Sequence, residues 1–107
     1  MEKFFEEIKN LIPDDYDEFL KCYNEEPYKG LRVNTLKCTD EKLLSLLDFP
    51  LKKTPFCDNG YYYPNEEKGL GKNPLHHAGA FYIQEPSATS AVPMLGVEEG
   101  DFVLDMC

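Results

Sequence analysis

Gly100-Asp101-Phe102-Val103-Leu104-Asp105-Met106-Cys107 reads as a turn followed by one apolar strand. A strand that ends in Asp and follows a helix-forming stretch opens a doubly wound α/β domain, where the turn after the strand carries the ligand. By this reading the chain is the front piece of a larger enzyme, cut one residue into its ligand loop. Phe102, Val103 and Leu104 then form an edge with no sheet to join, which is a self-pairing hazard.

Upstream of that stretch lies Ser87, a candidate N-cap for a helix through Leu95, with Pro93 as a kink point. A short strand is expected within His76–Pro86, ended by Pro86. Residues 64–75 read as loop. Before them, Asp58-Asn59-Gly60 is a hairpin turn signal between an expected strand over Leu51–Phe56 and a returning strand Tyr61-Tyr62-Tyr63. Leu31-Arg32-Val33-Asn34-Thr35-Leu36 alternates as a half-buried strand, with Leu31 and Val33 on one face and Arg32 and Asn34 on the other. Thr39 can cap a short helix carrying Leu43, Leu44, Leu46 and Leu47. This order describes a small α+β unit. At the front, Phe4, Phe5, Ile8, Leu11 and Ile12 predict a helix over 2–12, ended by Pro13. Asp14 or Asp15 can cap a second helix bearing Tyr16, Phe19, Leu20 and Tyr23, so the two read as a helical hairpin.

The 107 residues are 42% hydrophobic, enough for one small domain with a core and against global disorder. No apolar run reaches the length of a membrane span, and the start Met1-Glu2-Lys3-Phe4-Phe5 is not a signal peptide, so a cytoplasmic location is expected. Cys22, Cys38, Cys57 and Cys107 are widely spaced, and without a C-x-x-C pair they read as buried free thiols. The net charge of −9 argues against a simple nucleic-acid-coating protein. Its distribution is uneven. Residues 1–26 hold 3 basic and 9 acidic side chains, residues 27–75 hold 8 and 6, and residues 76–107 hold 0 and 5. Only the middle third can attract a polyanion, and by charge alone an ordinary solvated surface fits as well.

Three segments together resemble one family. Leu31 to Leu36 is similar to its R-x-N strand, Gly79 to Ser87 (G-x-F-Y-I-Q-E-P-S) to its early block, and Phe102 to Cys107 to the strand leading into its glycine-rich cofactor loop. The family is the Nop/Sun-type RNA cytosine methyltransferases, and the likeness is greatest to the bacterial ribosomal-RNA branch. It covers residues 28–107. The resemblance implies S-adenosylmethionine as cofactor and RNA as partner, ribosomal first and transfer RNA second, with no DNA and no membrane. It implies a cysteine thiolate attacking carbon 6 of cytosine so that carbon 5 takes the methyl group. The family's catalytic cysteines lie beyond its cofactor loop. None of Cys22, Cys38 or Cys57 matches them, so the chain is expected to be catalytically silent. The implied fold class is α+β: an N-terminal helical hairpin and an RNA-recognition-like unit over 1–75, then the first elements of a Rossmann-type methyltransferase domain over 76–107.

Several residues carry two readings. Arg32 and Asn34 can grip RNA phosphate and base edges, or brace the strand internally. Tyr61, Tyr62 and Tyr63 can stack bases, but alternation sends Tyr62 opposite its neighbours, so at least one face is core. His76 and His77, on opposite faces of a strand, are poorly placed to share a metal. Gln84, Glu85 and Ser87 shape a strand-to-helix passage, with Ser87 as the cap. Asp105 and Cys107 are the cofactor candidates, because ligands of open α/β sheets bind at the carboxyl ends of strands; Cys107 can equally be a small buried residue. Rival readings of the whole chain are a non-enzymatic RNA-binding or protein-interaction module, and a subunit whose acidic helices bind a basic ribosomal protein.

Overall fold

The computed structural model describes residues 1–106. Helices α1 (Glu2–Leu11) and α2 (Tyr16–Tyr23) come first. Then follow β1 (Lys29–Val33), α3 (Asp40–Leu46), β2 (Lys52–Lys53), β3 (Gly60–Tyr63), α4 (Pro74–His77), β4 (Phe81–Ile83) and α5 (Ala91–Leu95). Short 3-10 turns over Leu70–Lys72 and Ser87–Ser90 precede α4 and α5. The fold is α+β, with one antiparallel four-stranded sheet in the order β2-β3-β1-β4. From β1 to β4 the elements run β-α-β-β-α-β, a split arrangement that places the first and third strands at the centre. Among the described residues no helix is long and apolar enough to cross a membrane.

The two-residue period of β1 decides the core. Leu31 and Val33 point to one face, where they meet Leu43 of α3, Tyr61 of β3, Phe81 of β4 and Leu70. Leu31 pairs with Tyr61 on one side and Ile83 on the other, so apolar neighbours enclose it completely at 0% exposure. The cap of α3 is as the sequence predicts: Thr39 Oγ1 accepts from the Lys42 amide at 3.2 Å. Tyr61 ties β3 to the start of α3 by donating its hydroxyl to Asp40 at 2.5 Å. Gly30 is required by close approach. A Cβ there would lie 2.8 Å from both the Gln84 carbonyl oxygen and Pro86 Cγ.

Other expectations are corrected. Residues 101–106 are irregular and exposed rather than a strand. A strand needs a neighbour to take its backbone hydrogen bonds. Here the Asp101 carboxylate instead accepts from the Glu98 amide at 2.9 Å, closing a local turn. The Rossmann-type opening therefore has no strand after β4 among the described residues, and Cys107 lies outside them. His76 and His77 sit in α4, not in a strand. Asn73 caps that helix through Leu75 N at 2.9 Å, and Pro74 takes its first position. The strand expected over Leu51–Phe56 shrinks to Lys52–Lys53, because residues 54–59 fold into a wide turn. There the buried Thr54 hydroxyl donates to the Cys57 and Gly60 carbonyls, each at 3.2 Å. Glu85, rather than Ser87, caps the following turn: its carboxylate accepts the Ala88 amide at 2.9 Å, the Ser87 amide at 3.2 Å and the Ser87 hydroxyl. Those three donors, the Ser87 hydroxyl foremost, hold the carboxyl below the usual range. Cys22 is an exposed thiol on α2, whereas Cys57 is buried.

Candidate nucleic-acid interface

With Leu31 and Val33 turned to the core, β1 presents Gly30 and Arg32 on the opposite face. Pairing sets Arg32 beside Gly60 of β3 and Tyr82 of β4, and sets Gly30 beside Tyr62. Tyr62 in turn pairs with Lys52 of β2. The face turned away from α3 thus carries Arg32, Lys52, Tyr62 and Tyr82, and Tyr82 is 66% exposed. The four strands contain Lys29, Arg32, Lys52 and Lys53 and no Asp or Glu. In a chain of net charge −9 this is a local inversion of sign. Lys29 is already committed: its ammonium donates to the Asn65 carbonyl at 2.6 Å and anchors the loop after β3.

Arg32 stands where two open clefts meet. One, of about 630 Å³, runs along Thr35, Phe56, Asn59 and Val97. The other, of about 700 Å³, is walled by Asn34, His76, Tyr82, Gln84 and Asp105. Among the described residues the Arg32 side chain has no ion pair and no hydrogen bond. A guanidinium is a rigid fork of five donors suited to a phosphate or a carbonyl edge from outside, and Asp40 and Asp58 line the first cleft and Asp105 the second.

Asn34 shares the cleft wall but not that freedom. Its Nδ2 donates to the Gly79 carbonyl at 2.9 Å and its Oδ1 accepts from the Leu36 amide at 3.2 Å. The side chain braces the turn after β1 against the loop before β4. Of the two polar residues expected on this face, one is open and one is engaged. Asp105 lies against the Arg32 cleft, on the irregular terminal segment. His76 packs its ring 5.5 Å from Phe81.

The tyrosine triplet divides as alternation requires. Tyr61 is buried, and burial first, then the Asp40 carboxylate, pushes its hydroxyl up to about 12. Burial also raises Tyr63. Only Tyr62 turns to the open face. Sequence reasoning missed Tyr82 and Lys52. The parity of β4 was the available signal for Tyr82: once Phe81 is core, Tyr82 is not.

This sheet, with only cations among the charged residues of its strands, defines a small α+β domain. The family model described as the N-terminal domain of 16S rRNA methyltransferase RsmF matches residues 1–86, and the chain belongs to that family. Proteins named Ribosomal RNA small subunit methyltransferase F are similar to it. The one from Photobacterium profundum is 36% identical over 96% of this chain and 24% of the relative. The one from Vibrio vulnificus is 34% identical over 97% and 24%. The one from Serratia proteamaculans is 35% identical over 96% and 23%. The chain spans about a quarter of the length of these curated relatives.

Proposed function

We propose that this chain is the N-terminal, RNA-facing part of an S-adenosylmethionine-dependent methyltransferase acting on small-subunit ribosomal RNA. The observation that carries the reading is the set of cation-only strands with Arg32 open to a cleft, in a chain whose relatives bear that enzyme's name. Arg32 would hold a phosphate by paired N–H bonds, Tyr82 would lie against the adjacent sugar or base, and Asn34 would fix the cleft wall. Phosphate contacts set register and not sequence, so this face positions RNA while the choice of cytosine is made elsewhere. Ribosomal RNA is favoured over transfer RNA by the names of the relatives.

The described residues do not by themselves fit the cofactor. Residues 101–106 offer no strand end and no amide cradle of the kind that seats such a molecule. Asp105 and Cys107 come next to the cofactor only when that segment gains a sheet. Methyl transfer to carbon 5 of cytosine is the reaction the family resemblance implies, and the chain is read as contributing no nucleophile to it.

A chimera tests this reading. Residues 1–107 replace the matching quarter of the Photobacterium profundum relative, and transfer of tritiated methyl groups from S-adenosylmethionine to small-subunit rRNA is measured. Methyl transfer is expected, and Arg32→Gln in the chimera is expected to raise KM for RNA with kcat retained. A chimera that folds and binds the cofactor but leaves the RNA unmethylated overturns the reading.

A further inference from the structure

We propose that Tyr28 and Tyr62 form a stacking platform for single-stranded RNA, set diagonally from Arg32 on the same sheet face. The proposal rests on the reading that this face meets RNA, and adds a second contact with its own chemistry. Tyr28 immediately precedes β1 and is 77% exposed. Its ring centroid lies 5.5 Å from that of Tyr62, with the planes tilted by 54°, so the two rings adjoin without covering each other. Neither hydroxyl has a hydrogen-bond partner among the described residues, in contrast to Tyr61. Beside Tyr62 runs a shallow groove of about 200 Å³ lined by Pro50, Leu51, Lys52, Tyr63 and Pro64. Its walls are largely apolar, with an ammonium at the rim.

A pair of one exposed and one half-buried aromatic ring beside Lys52 suits a nucleobase with its phosphate. Every base has a π-face to stack, and Lys52, paired with Tyr62 on the same face, neutralises the backbone. A second copy of this chain is the less suitable occupant. A two-fold contact would set this face against itself, bringing Lys52 and Arg32 against like charges with no carboxylate in the strands to offset them. Duplex RNA hides its base faces, so the ligand is single-stranded. The sheet register sets the spacing. Arg32 pairs with Gly60 while Tyr62 pairs with Gly30, which makes Tyr62 and Arg32 diagonal neighbours about 7–8 Å apart. Pro86 stands over Gly30 and Thr54 and Cys57 over Gly60, so the platform and Arg32 are two separate contacts with one RNA strand.

The test is fluorescence anisotropy of a labelled single-stranded uridine dodecamer with the whole 107-residue chain, over a range of salt. Tyr28→Ala with Tyr62→Ala is expected to weaken binding about five- to hundredfold at an unchanged salt slope. Tyr28→Phe with Tyr62→Phe keeps the affinity. Arg32→Gln lowers the salt slope instead, by about one. Circular dichroism checks folding, and should Tyr62→Ala unfold the chain, the exposed Tyr28→Ala against Tyr28→Phe decides alone. The chain has no tryptophan, so bound RNA should also quench its tyrosine emission. Alanine variants that bind as wild type overturn the platform. So does a wild-type chain that does not bind the dodecamer, or a dimer in sedimentation velocity that the alanine variants dissociate without changing RNA affinity. None of these results touches methyl transfer by the chimera, so the platform and the broader reading fail separately.

Discussion

The sheet and the two N-terminal helices use similar apolar residues and reach opposite ends. In the sheet, Leu31, Val33 and Phe81 are buried. In α1 and α2, which carry Phe4, Phe5, Tyr16, Phe19 and Tyr23, no residue is buried. The helices meet through their own rings: Phe5 and Tyr23 lie edge to face at 5.3 Å, and Phe4 and Phe19 are tilted at 6.3 Å. A strand at the centre of a sheet is enclosed by neighbours on both sides and by a helix beneath. A pair of short helices has one shared stripe and nothing behind it. Periodicity makes an element amphipathic, but only a second layer turns that amphipathicity into burial. The terminal segment repeats the lesson, since Phe102 and Leu104 stay in water.

The sharpest way to break this contrast is Leu31→Ala. Truncating a fully enclosed Leu should cost about 2–5 kcal/mol, read from the midpoint of urea unfolding of the whole chain. A loss under about 1 kcal/mol would mean that the sheet is not the stability centre. Smaller in effect is Tyr61→Phe, which removes the bond to Asp40 and should cost about 1 kcal/mol near neutral pH. Its pH dependence sharpens the comparison. Folded Tyr61 holds its proton up to about 12, whereas the unfolded chain loses it near the ordinary tyrosine value of about 10. The stabilisation is complete below the unfolded value and disappears as pH rises through the folded one. Wild type should therefore lose its advantage over Tyr61→Phe between those values, and parallel melting curves throughout would refute the assignment. The smallest effect belongs to Leu11→Ser in α1. That side chain is 75% exposed, and the change should stay within about 0.5 kcal/mol. A larger loss would show that the helices are docked on something.

Much of the sheet unit was legible because short-range rules govern it. The alternation of Leu31-Arg32-Val33 named both faces of β1, and Thr39 named the start of α3. Tyr61-Tyr62-Tyr63 was readable as a split triplet for the same reason. The helical fate of His76 and His77 is written in Asn73-Pro74, a cap followed by a first-position proline, and it prevails over the strand expected there. Glu85 was passed over because Ser87 fits the usual cap by residue type. Which of the two reaches the free amides is settled by the direction in which the chain leaves β4. The open face was only half legible. Arg32 could be placed on it from parity, whereas Tyr82 and Lys52 are set beside it by the register of strands distant in the chain, and Tyr28 by its ring contact with Tyr62. Nothing local separates Asn34 from Arg32, and it is the approach of Gly79 that engages one and leaves the other open.

By itself, the amino-acid order determined the helices α1, α2 and α3 and the strand β1, which side of β1 is apolar, and the family to which the chain is related. These depend on backbone preference and on side-chain period, both of which act within a few residues. The tertiary structure alone decided which apolar stripes are buried, that the last apolar run does not form a strand among the described residues, and which cations share a face with which aromatic rings. Burial and pairing are set by partners far apart in the chain, and their geometry exists only once the strands have chosen their neighbours.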